Sequence, residues 1–122
     1  MNDLATRVFA LSPDVRYVAT YVDGRLDLAA RSAANASAAD SDRYEELLVN
    51  PTLLTLARQR GDIDCGGLAF LLVRYGHFFQ LVVPVVGGHV SVAVEPSGAP
   101  LQLVEGIVAA ANALGRAVVR AS

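Results

Sequence analysis

Two histidines, one cysteine and two aspartates are the residues of this sequence that could bind a metal ion. His77 and His89 flank a predicted pair of strands, and Asp62, Asp64 and Cys65 lie close together upstream. Imidazole, carboxylate and thiolate groups are the ligands that zinc takes in proteins. Metal-site spacings such as Cys-x-x-Cys or His-x-x-x-His do not occur, however. We therefore predict no metal site, and we interpret these residues as two histidines near turns, a capping aspartate and a small buried thiol.

His89 and Ser91 come nearest to a nucleophilic pair. They lie two positions apart on a predicted strand, so their side chains point to the same face. The Gly-x-Ser-x-Gly elbow that exposes a catalytic serine is absent, and we interpret the pair as part of a solvent-facing strand. The sequence also has no lysine, which excludes a Schiff-base lysine and a phosphate-loop lysine. We predict no catalytic residue and no cofactor.

Two carboxylate pairs and one glycine-rich loop could also carry chemistry. Glu45 with Glu46, and Asp62 with Asp64, fit solvated helix ends or loops better than acid–base catalysis. The segment 62–67 ends in two glycines, whose backbone could approach an anion or a peptide closely. A plain connector between a helix and a strand explains the same residues, and we favour that interpretation.

Aromatic and cationic side chains concentrate in the segment 74–79, at a predicted turn between strands. Arginine and tyrosine are enriched at the residues that dominate protein interfaces. Either Phe78 or Phe79 must point into the core, because neighbouring side chains alternate along a strand. Arg74, Tyr75 and His77 are therefore candidate protein-interaction residues.

The elements that must position these residues follow the order α-β-β-α-β-β-β-α. Asp23-Gly24 between two β-prone runs is a strong hairpin signal, and glycines separate the later strands. We predict strands over residues 16–22, 25–31, 68–75, 78–86 and 89–95. We predict helices over residues 4–11, 42–49, 50–60 and 100–114. Tight turns between strands favour one antiparallel five-stranded sheet flanked by helices, in a single α/β (α+β) domain over residues 1–122.

Two prolines and one featureless segment add detail to the predicted order of helices and strands. Pro51 has no N–H to donate inside a helix, so we expect the middle helix to restart there, with Asn50 as its cap. Pro84 favours an edge or a bulge within a strand whose apolar residues otherwise indicate a central position. Residues 32–41 are small and nearly featureless, and we predict a loop.

The predicted last helix has more apolar surface than one sheet needs. A helix that covers a sheet requires an apolar arc of roughly 100°, whereas apolar residues surround all but a narrow stripe of this one. Leu101 and Val108 on this face are candidate interaction residues. Arg58, near the end of the middle helix, is a further candidate.

Composition limits the possible partners. The net charge is −2, all ten basic residues are arginine, and no basic stripe is visible, so nucleic-acid binding is not expected. The single cysteine fits a reducing compartment. The N-terminus does not resemble a signal peptide, and the longest apolar run, at residues 81–86, is too short to cross a bilayer. We expect a cytoplasmic protein.

Three segments together resemble the roadblock/dynein light chain family of the longin- and profilin-like fold group. Residues 21–26, Tyr-Val-Asp-Gly-Arg-Leu, resemble its first hairpin, residues 78–95 its last hairpin, and residues 100–104 the start of its closing helix. The resemblance is to a divergent, prokaryotic member of the family. The resemblance implies a homodimer built from the middle helix and the central strand. It also implies a non-enzymatic scaffold or regulator of a small Ras-like GTPase or a signalling complex.

A second hypothesis comes from the same fold group. The chain could be a small-molecule or peptide-binding sensor, with a pocket between sheet and helix near Tyr44, Arg74 and Tyr75. An enzyme is the third hypothesis, and no motif supports it.

Overall fold

A computed structural model describes residues 3–31 and 38–113 of the chain. Its helices and strands are, in chain order, α1 (Asp3–Leu11), β1 (Val15–Val22), β2 (Arg25–Ala30), α2 (Ala39–Tyr44), α3 (Asn50–Asp64), β3 (Leu71–Arg74), β4 (Phe79–Val85), β5 (Gly88–Val94) and α4 (Val104–Ala113). A π-helical turn, Glu45–Val49, joins α2 to α3, and a 3₁₀ turn, Pro100–Leu103, precedes α4. The predicted fold class is confirmed. The predicted end of the last helix at residue 114 and most of the predicted loop 32–41 lie outside the described residues.

The five strands form one antiparallel sheet in the order β2-β1-β5-β4-β3. The Asp23-Gly24 turn joins β1 to β2 with both residues at positive φ, 51° and 81°, as a two-residue hairpin of this twist requires. Gly88 is needed for another reason. A Cβ there would lie 1.7 Å from the carbonyl oxygen of Tyr21 on β1, so only glycine lets β5 pair this closely.

The first face of the sheet packs against α1 and α4. Alternate residues of the central strands, such as Val18, Leu81 and Val92, are fully buried there, together with Val8 of α1 and Ile107 of α4. Alternation along the strands places the intervening residues on the second face. The second face therefore needs its own cover.

The middle helix, residues 39–64, covers the second face, and it is continuous at Pro51. The predicted restart there is wrong: Val49 and Asn50 both have α-helical backbone angles. The irregularity comes earlier, in the π-helical turn, where the Asn50 N–H donates to the carbonyl of Glu45 five residues back. Proline cannot donate a hydrogen bond to the carbonyl four residues before it. Because the π-helical turn comes directly before Pro51, the missing bond falls within one continuous helix. Asn50 is not a cap, because its side chain is buried against the sheet.

Pro84 lies within β4, and the register explains why it is tolerated. The pairing of β3 with β4 ends at Leu71 and Val82, two residues before Pro84. No hydrogen bond to β3 is therefore lost where the proline lacks its N–H. The strand is central over residues 79–82 and has an open side at Pro84.

The segment 62–67 is a helix end followed by a tight connector. Asp62 and Asp64 belong to the last turn of α3, and the carbonyl of Gly61 accepts hydrogen bonds from the N–H groups of Cys65 and Gly67. A Cβ at residue 61 would lie 3.0 Å from the carbonyl carbon of Gly67, so the two glycines allow a close contact. The hydrogen bonds and the close contact explain the glycines as parts of a connector between helix and strand. Among the helices that the structure describes, none is long and apolar enough to cross a membrane.

Candidate functional site

Six polar side chains lie between the middle helix and the second face of the sheet, where they form a buried cluster. They are at most 4% exposed, and they are Tyr17, Glu46, Asn50, Gln80, His89 and Ser91. The helix supplies Glu46 and Asn50, four residues apart and thus on one side. The strands β1, β4 and β5 supply the others. We call this set the polar cluster.

Glu46 is the centre of the polar cluster. Its carboxylate accepts hydrogen bonds from the Tyr17 hydroxyl (2.5 Å) and from Nδ2 of Asn50 (2.9 Å). Nε2 of His89 lies 2.7 Å from Oε1 of the same carboxylate. A fully buried carboxylate is tolerated only when hydrogen bonds from the protein replace those of water. Three partners on the sheet and the helix supply that replacement.

Gln80 and Ser91 continue the polar cluster across β4 and β5. Nε2 of Gln80 donates to the Tyr17 hydroxyl (3.1 Å) and to the Ser91 hydroxyl. Asn50 donates to the same Ser91 oxygen at 3.3 Å. Two buried amide oxygens, Oδ1 of Asn50 and Oε1 of Gln80, have no hydrogen-bond partner among the described residues. The polar cluster thus has more acceptors than its own donors satisfy.

A cavity of about 220 Å³ adjoins the polar cluster at the start of the middle helix. Aromatic rings and polar groups line it: Tyr17, Tyr75 and Phe78, with Ser41, Asp42, Glu45 and Gln80. Sites that enclose drug-sized molecules usually measure about 300–1,000 Å³. This cavity therefore suits a smaller guest.

Electrostatics at the cavity are dominated by carboxylates. Burial raises the pKa of Glu45, and the charges of Glu46 and Asp42 raise it further, while a 2.8 Å hydrogen bond from the Tyr75 hydroxyl lowers it. Burial and the same hydrogen bond raise the pKa of Tyr75 to about 12. The pKa of Tyr17 is also raised, by burial and then by the charge of Glu46. Both phenols are therefore neutral donors at physiological pH.

The structure brings three of the predicted interaction residues together at the β3–β4 turn. Arg74 is exposed, donates to the carbonyls of Tyr75 and Gly76, and lies over the Phe79 ring. Tyr75 is half-buried, because its hydroxyl reaches Glu45 on the middle helix. His77 is exposed, and its carbonyl accepts a hydrogen bond from Arg16.

The other predicted interaction residues lie elsewhere. Leu101 is 62% exposed beside α4, whereas Val108 is half-buried against the core. Much of the wide apolar face of α4 packs on the sheet and on α1, where Gly106 lies against Leu11. Arg58 is exposed on α3, in the opposite layer. The six candidates therefore do not form one surface.

The residues considered for metal binding and nucleophilic catalysis have other roles. His89 is buried against Glu46 while His77 is exposed, and the part of the chain that the structure describes holds no group of three metal-ligating side chains. His89 and Ser91 share one face of β5, but the prediction of a solvent-facing strand is wrong because the middle helix covers both. The prediction of a buried thiol is also wrong, since Cys65 is exposed.

Sequence reasoning missed the polar cluster, although it left two signals. Glu46 and Asn50 stand four residues apart, which places them on one side of a helix. Gln80, His89 and Ser91 interrupt strands that are otherwise apolar, at positions that alternation assigns to one face. Neither signal identifies the other set as its partner.

The arrangement is an α+β fold in which helices cover both faces of one antiparallel sheet, with a polar layer under the middle helix. It has the fold of a roadblock/LC7 domain. The crystal structure of a roadblock/LC7 domain from Streptomyces avermitilis matches with a TM-score of 0.72 over 93% of each chain, at 15% sequence identity. No protein-family model matches the sequence. No curated protein matches it either.

Proposed function

We propose that this chain is a non-catalytic, cytoplasmic interaction module that acts as a homodimer, as a scaffold or regulator of a small Ras-like GTPase or a signalling complex. The roadblock/LC7 fold supports an interaction module in general. The observation that carries the homodimer is an open apolar strand edge beside a helix with exposed apolar residues.

The open edge is the outer side of β3. Its residues are Leu71, Leu72, Val73 and Arg74, so three apolar residues precede a single charge. The opposite edge of the sheet, β2, carries Arg25 and Asp27, which form an ion pair at 3.4 Å. Charged side chains discourage pairing at a sheet edge, whereas an apolar edge is a template for another strand. The contrast favours β3 as the edge that pairs.

Exposed apolar side chains on the middle helix support the same surface. Leu48 is 54% exposed, Leu56 61% and Ile63 76%. Leu56 and Ile63 are seven residues apart, which is about two helical turns, so they project from the same side. Exposed apolar residues that share one side of a helix are typical of an interface with another protein.

A second copy of this chain is the partner that fits both features. Two β3 strands paired antiparallel about a two-fold axis would join two five-stranded sheets into one. The axis would keep both middle helices on the same face of the joined sheet, where their apolar residues can pack together. This dimer uses the middle helix, as the family resemblance implies, but it pairs through the edge strand β3 and not through a central strand of the sheet.

Light scattering over a dilution series tests the dimer, with Leu56→Glu compared to Leu101→Glu. The two leucines are almost equally exposed, at 61% and 62%, but they lie on opposite sides of the sheet. We expect a dimer that persists at low micromolar concentration and that only Leu56→Glu dissociates. Dissociation by Leu101→Glu alone would assign the interface to the last helix instead. A monomer at every concentration would refute the homodimer.

The regulatory part of the proposal has its own test. The tagged chain is incubated with lysate in the presence of GDP or of a non-hydrolysable GTP analogue, and the retained proteins are identified by mass spectrometry. We expect a small GTPase whose retention depends on the nucleotide. Retention of a GTPase that is indifferent to nucleotide, or of none, would contradict the regulatory role.

The cavity favours a second candidate function, a small-molecule sensor. It lies between sheet and helix beside Tyr75, as the sensor hypothesis expected, although Tyr44 and Arg74 do not line it. Thermal shift against a metabolite panel tests this function, because a ligand that binds the folded state raises the melting temperature.

A further inference from the structure

We propose that two copies of this chain pair through β3 in one register, with the two-fold axis between Leu72 of one copy and Leu72 of the other. The inference rests on the proposed homodimer, and it specifies which residues of the two copies meet. Three features of β3 carry it: the direction of its hydrogen-bonding groups, the position of its one charge and the apolar side chains on its two faces.

The hydrogen-bonding direction of β3 follows from the turn into β4. The N–H of Tyr75 donates to the carbonyl of Phe78 at 2.8 Å, so these two residues form a hydrogen-bonded pair. Hydrogen-bonded and non-hydrogen-bonded pairs alternate along antiparallel strands. Counted back from the turn, the register of β3 on β4 places Leu72 and Arg74 in non-hydrogen-bonded pairs. Their N–H and carbonyl groups therefore point outward, away from β4.

The outward groups limit the registers that a second copy can take. Leu72 and Arg74 must lie opposite residues whose groups also point outward, so they cannot lie opposite Leu71 or Val73. The register with the greatest overlap of the two four-residue strands would place Leu72 opposite Val73, and it is therefore excluded. Two registers remain that still overlap three residues of each strand, with the axis at Leu72 or at Val73.

The charge of Arg74 distinguishes these two registers. With the axis at Val73, the Cα atoms of the two Arg74 residues are about 8 Å apart on one face of the joined sheet. With the axis at Leu72, they are about 14 Å apart, which exceeds the screening length of about 8 Å at physiological salt. Like charges repel more strongly at the shorter distance, so the axis at Leu72 is favoured.

The apolar side chains of β3 match in the same register. Leu72 lies opposite its own copy on the first face, and Leu71 lies opposite Val73 of the second copy on the second face. All three side chains are only half-buried in the single chain, so the pairing removes further apolar surface from water. Arg74 comes opposite Phe70 of the second copy, a half-buried ring that packs on the core beside Leu72. Aromatic faces attract cations.

Disulfide trapping measures the register. Single cysteines replace residues of β3 in a Cys65→Ser background, which removes the exposed native thiol, and copper phenanthroline is the oxidant. A disulfide needs Cα atoms about 4.4–6.8 Å apart. Residues directly opposite are about 4.5–5.5 Å apart, whereas diagonal neighbours are about 7–8 Å apart. We expect Leu72→Cys to cross-link at least about tenfold faster than Val73→Cys. Leu28→Cys, on the opposite edge strand β2, should show only the background of random collisions.

A mixed pair of variants tests the register without a change at Leu72, whose side chain packs against the core. Leu71→Cys and Val73→Cys chains are mixed in equal amounts, and one of them carries a tag that separates the products by size. In the proposed register these two positions lie opposite each other, so the mixed disulfide should form faster than either symmetric one. An axis at Val73 would instead cross-link Val73→Cys to itself.

Light scattering on the wild type and on the reduced variants separates the outcomes. Dimers in which Val73→Cys cross-links fastest would overturn the register and keep a homodimer through β3. Dimers in which no cysteine of β3 cross-links faster than Leu28→Cys would overturn the pairing of β3 as well. A wild type that is monomeric at every concentration would refute the homodimer, and this register with it.

Discussion

Replacement of Glu46 by leucine should destabilise the fold severely, although leucine is apolar and similar in size. The Tyr17 hydroxyl and Nε2 of His89 would both lose the carboxylate that lies 2.5 and 2.7 Å from them. Asn50 would keep only its 3.3 Å bond to Ser91. The introduced side chain offers no acceptor to any of these donors.

The expected size of the effect follows from the burial of these groups. An unsatisfied buried donor costs about 1–3 kcal/mol, and Glu46→Leu leaves both the Tyr17 hydroxyl and Nε2 of His89 without the carboxylate. We therefore expect Glu46→Leu to lower the free energy of unfolding by about 3–5 kcal/mol. Small domains are stable by about 5–15 kcal/mol, so the variant should be marginal. A domain of this size loses roughly 4 °C of melting temperature per kcal/mol, which predicts a decrease of more than about 10 °C.

Urea denaturation followed by far-ultraviolet circular dichroism measures the change in the free energy of unfolding. Wild type and variants are compared at one protein concentration, because self-association would add to stability. Glu46→Gln retains an acceptor and should lose much less. Glu105→Leu, at an exposed site, should change stability by no more than about 0.5 kcal/mol. A double-mutant cycle with His89→Leu should give a coupling of at least about 1 kcal/mol. A loss below about 1 kcal/mol for Glu46→Leu, or strict additivity with His89→Leu, would refute the reasoning.

Two further predictions follow from single positions. Gly88→Ala should cost at least about 3 kcal/mol or prevent folding, because backbone atoms of β1 occupy the space that its Cβ would need. A Cβ at Gly76 would have nothing within 4 Å, so Gly76→Ala should be nearly neutral. Similar melting temperatures for the two variants would contradict the close approach of β5 to β1 at Gly88. Because the folded-state pKa of Glu45 is raised, its protonated form favours the fold, so this residue contributes stability below about pH 4.5 that is lost as pH rises through the folded-state value. Glu45→Gln should therefore become more stable relative to wild type as pH rises from 4 to 7, and a difference that is constant across this range in parallel melting curves would exclude the effect.

The hairpins and the order of helices and strands along the chain could be predicted from the sequence because local chemistry determines them. Asp23-Gly24 specifies a two-residue turn at positive φ, and alternation of apolar residues assigns the faces of the neighbouring strands. The middle helix was harder. Pro51 correctly indicates a missing helical hydrogen bond, but the π-helical turn just before it lets the helix continue. Asn50 does not act as a cap, because its side chain donates a hydrogen bond to Ser91 on the sheet. A local rule about proline does not include that tertiary contact.

The polar cluster marks where sequence reasoning stops, and the reason is physical. A buried polar residue is stable only with partners, and those partners come from elements far apart in the chain: Glu46 reaches Tyr17 across 29 residues and His89 across 43. Hydropathy patterns report each residue separately, so Ser91 and His89 look like a solvated strand face until the helix that covers them is in place. The number of polar residues on one face of the strands is nevertheless informative. A polar residue on an otherwise apolar strand is costly to bury without a hydrogen-bond partner. Several of them on one face therefore require a covering helix that carries its own polar residues. On the described middle helix, Glu46 and Asn50 are the only such pair at a spacing of four whose members are both fully buried. The requirement that both sets be satisfied together determines the register of helix on sheet, which apolar packing alone would leave free to slide.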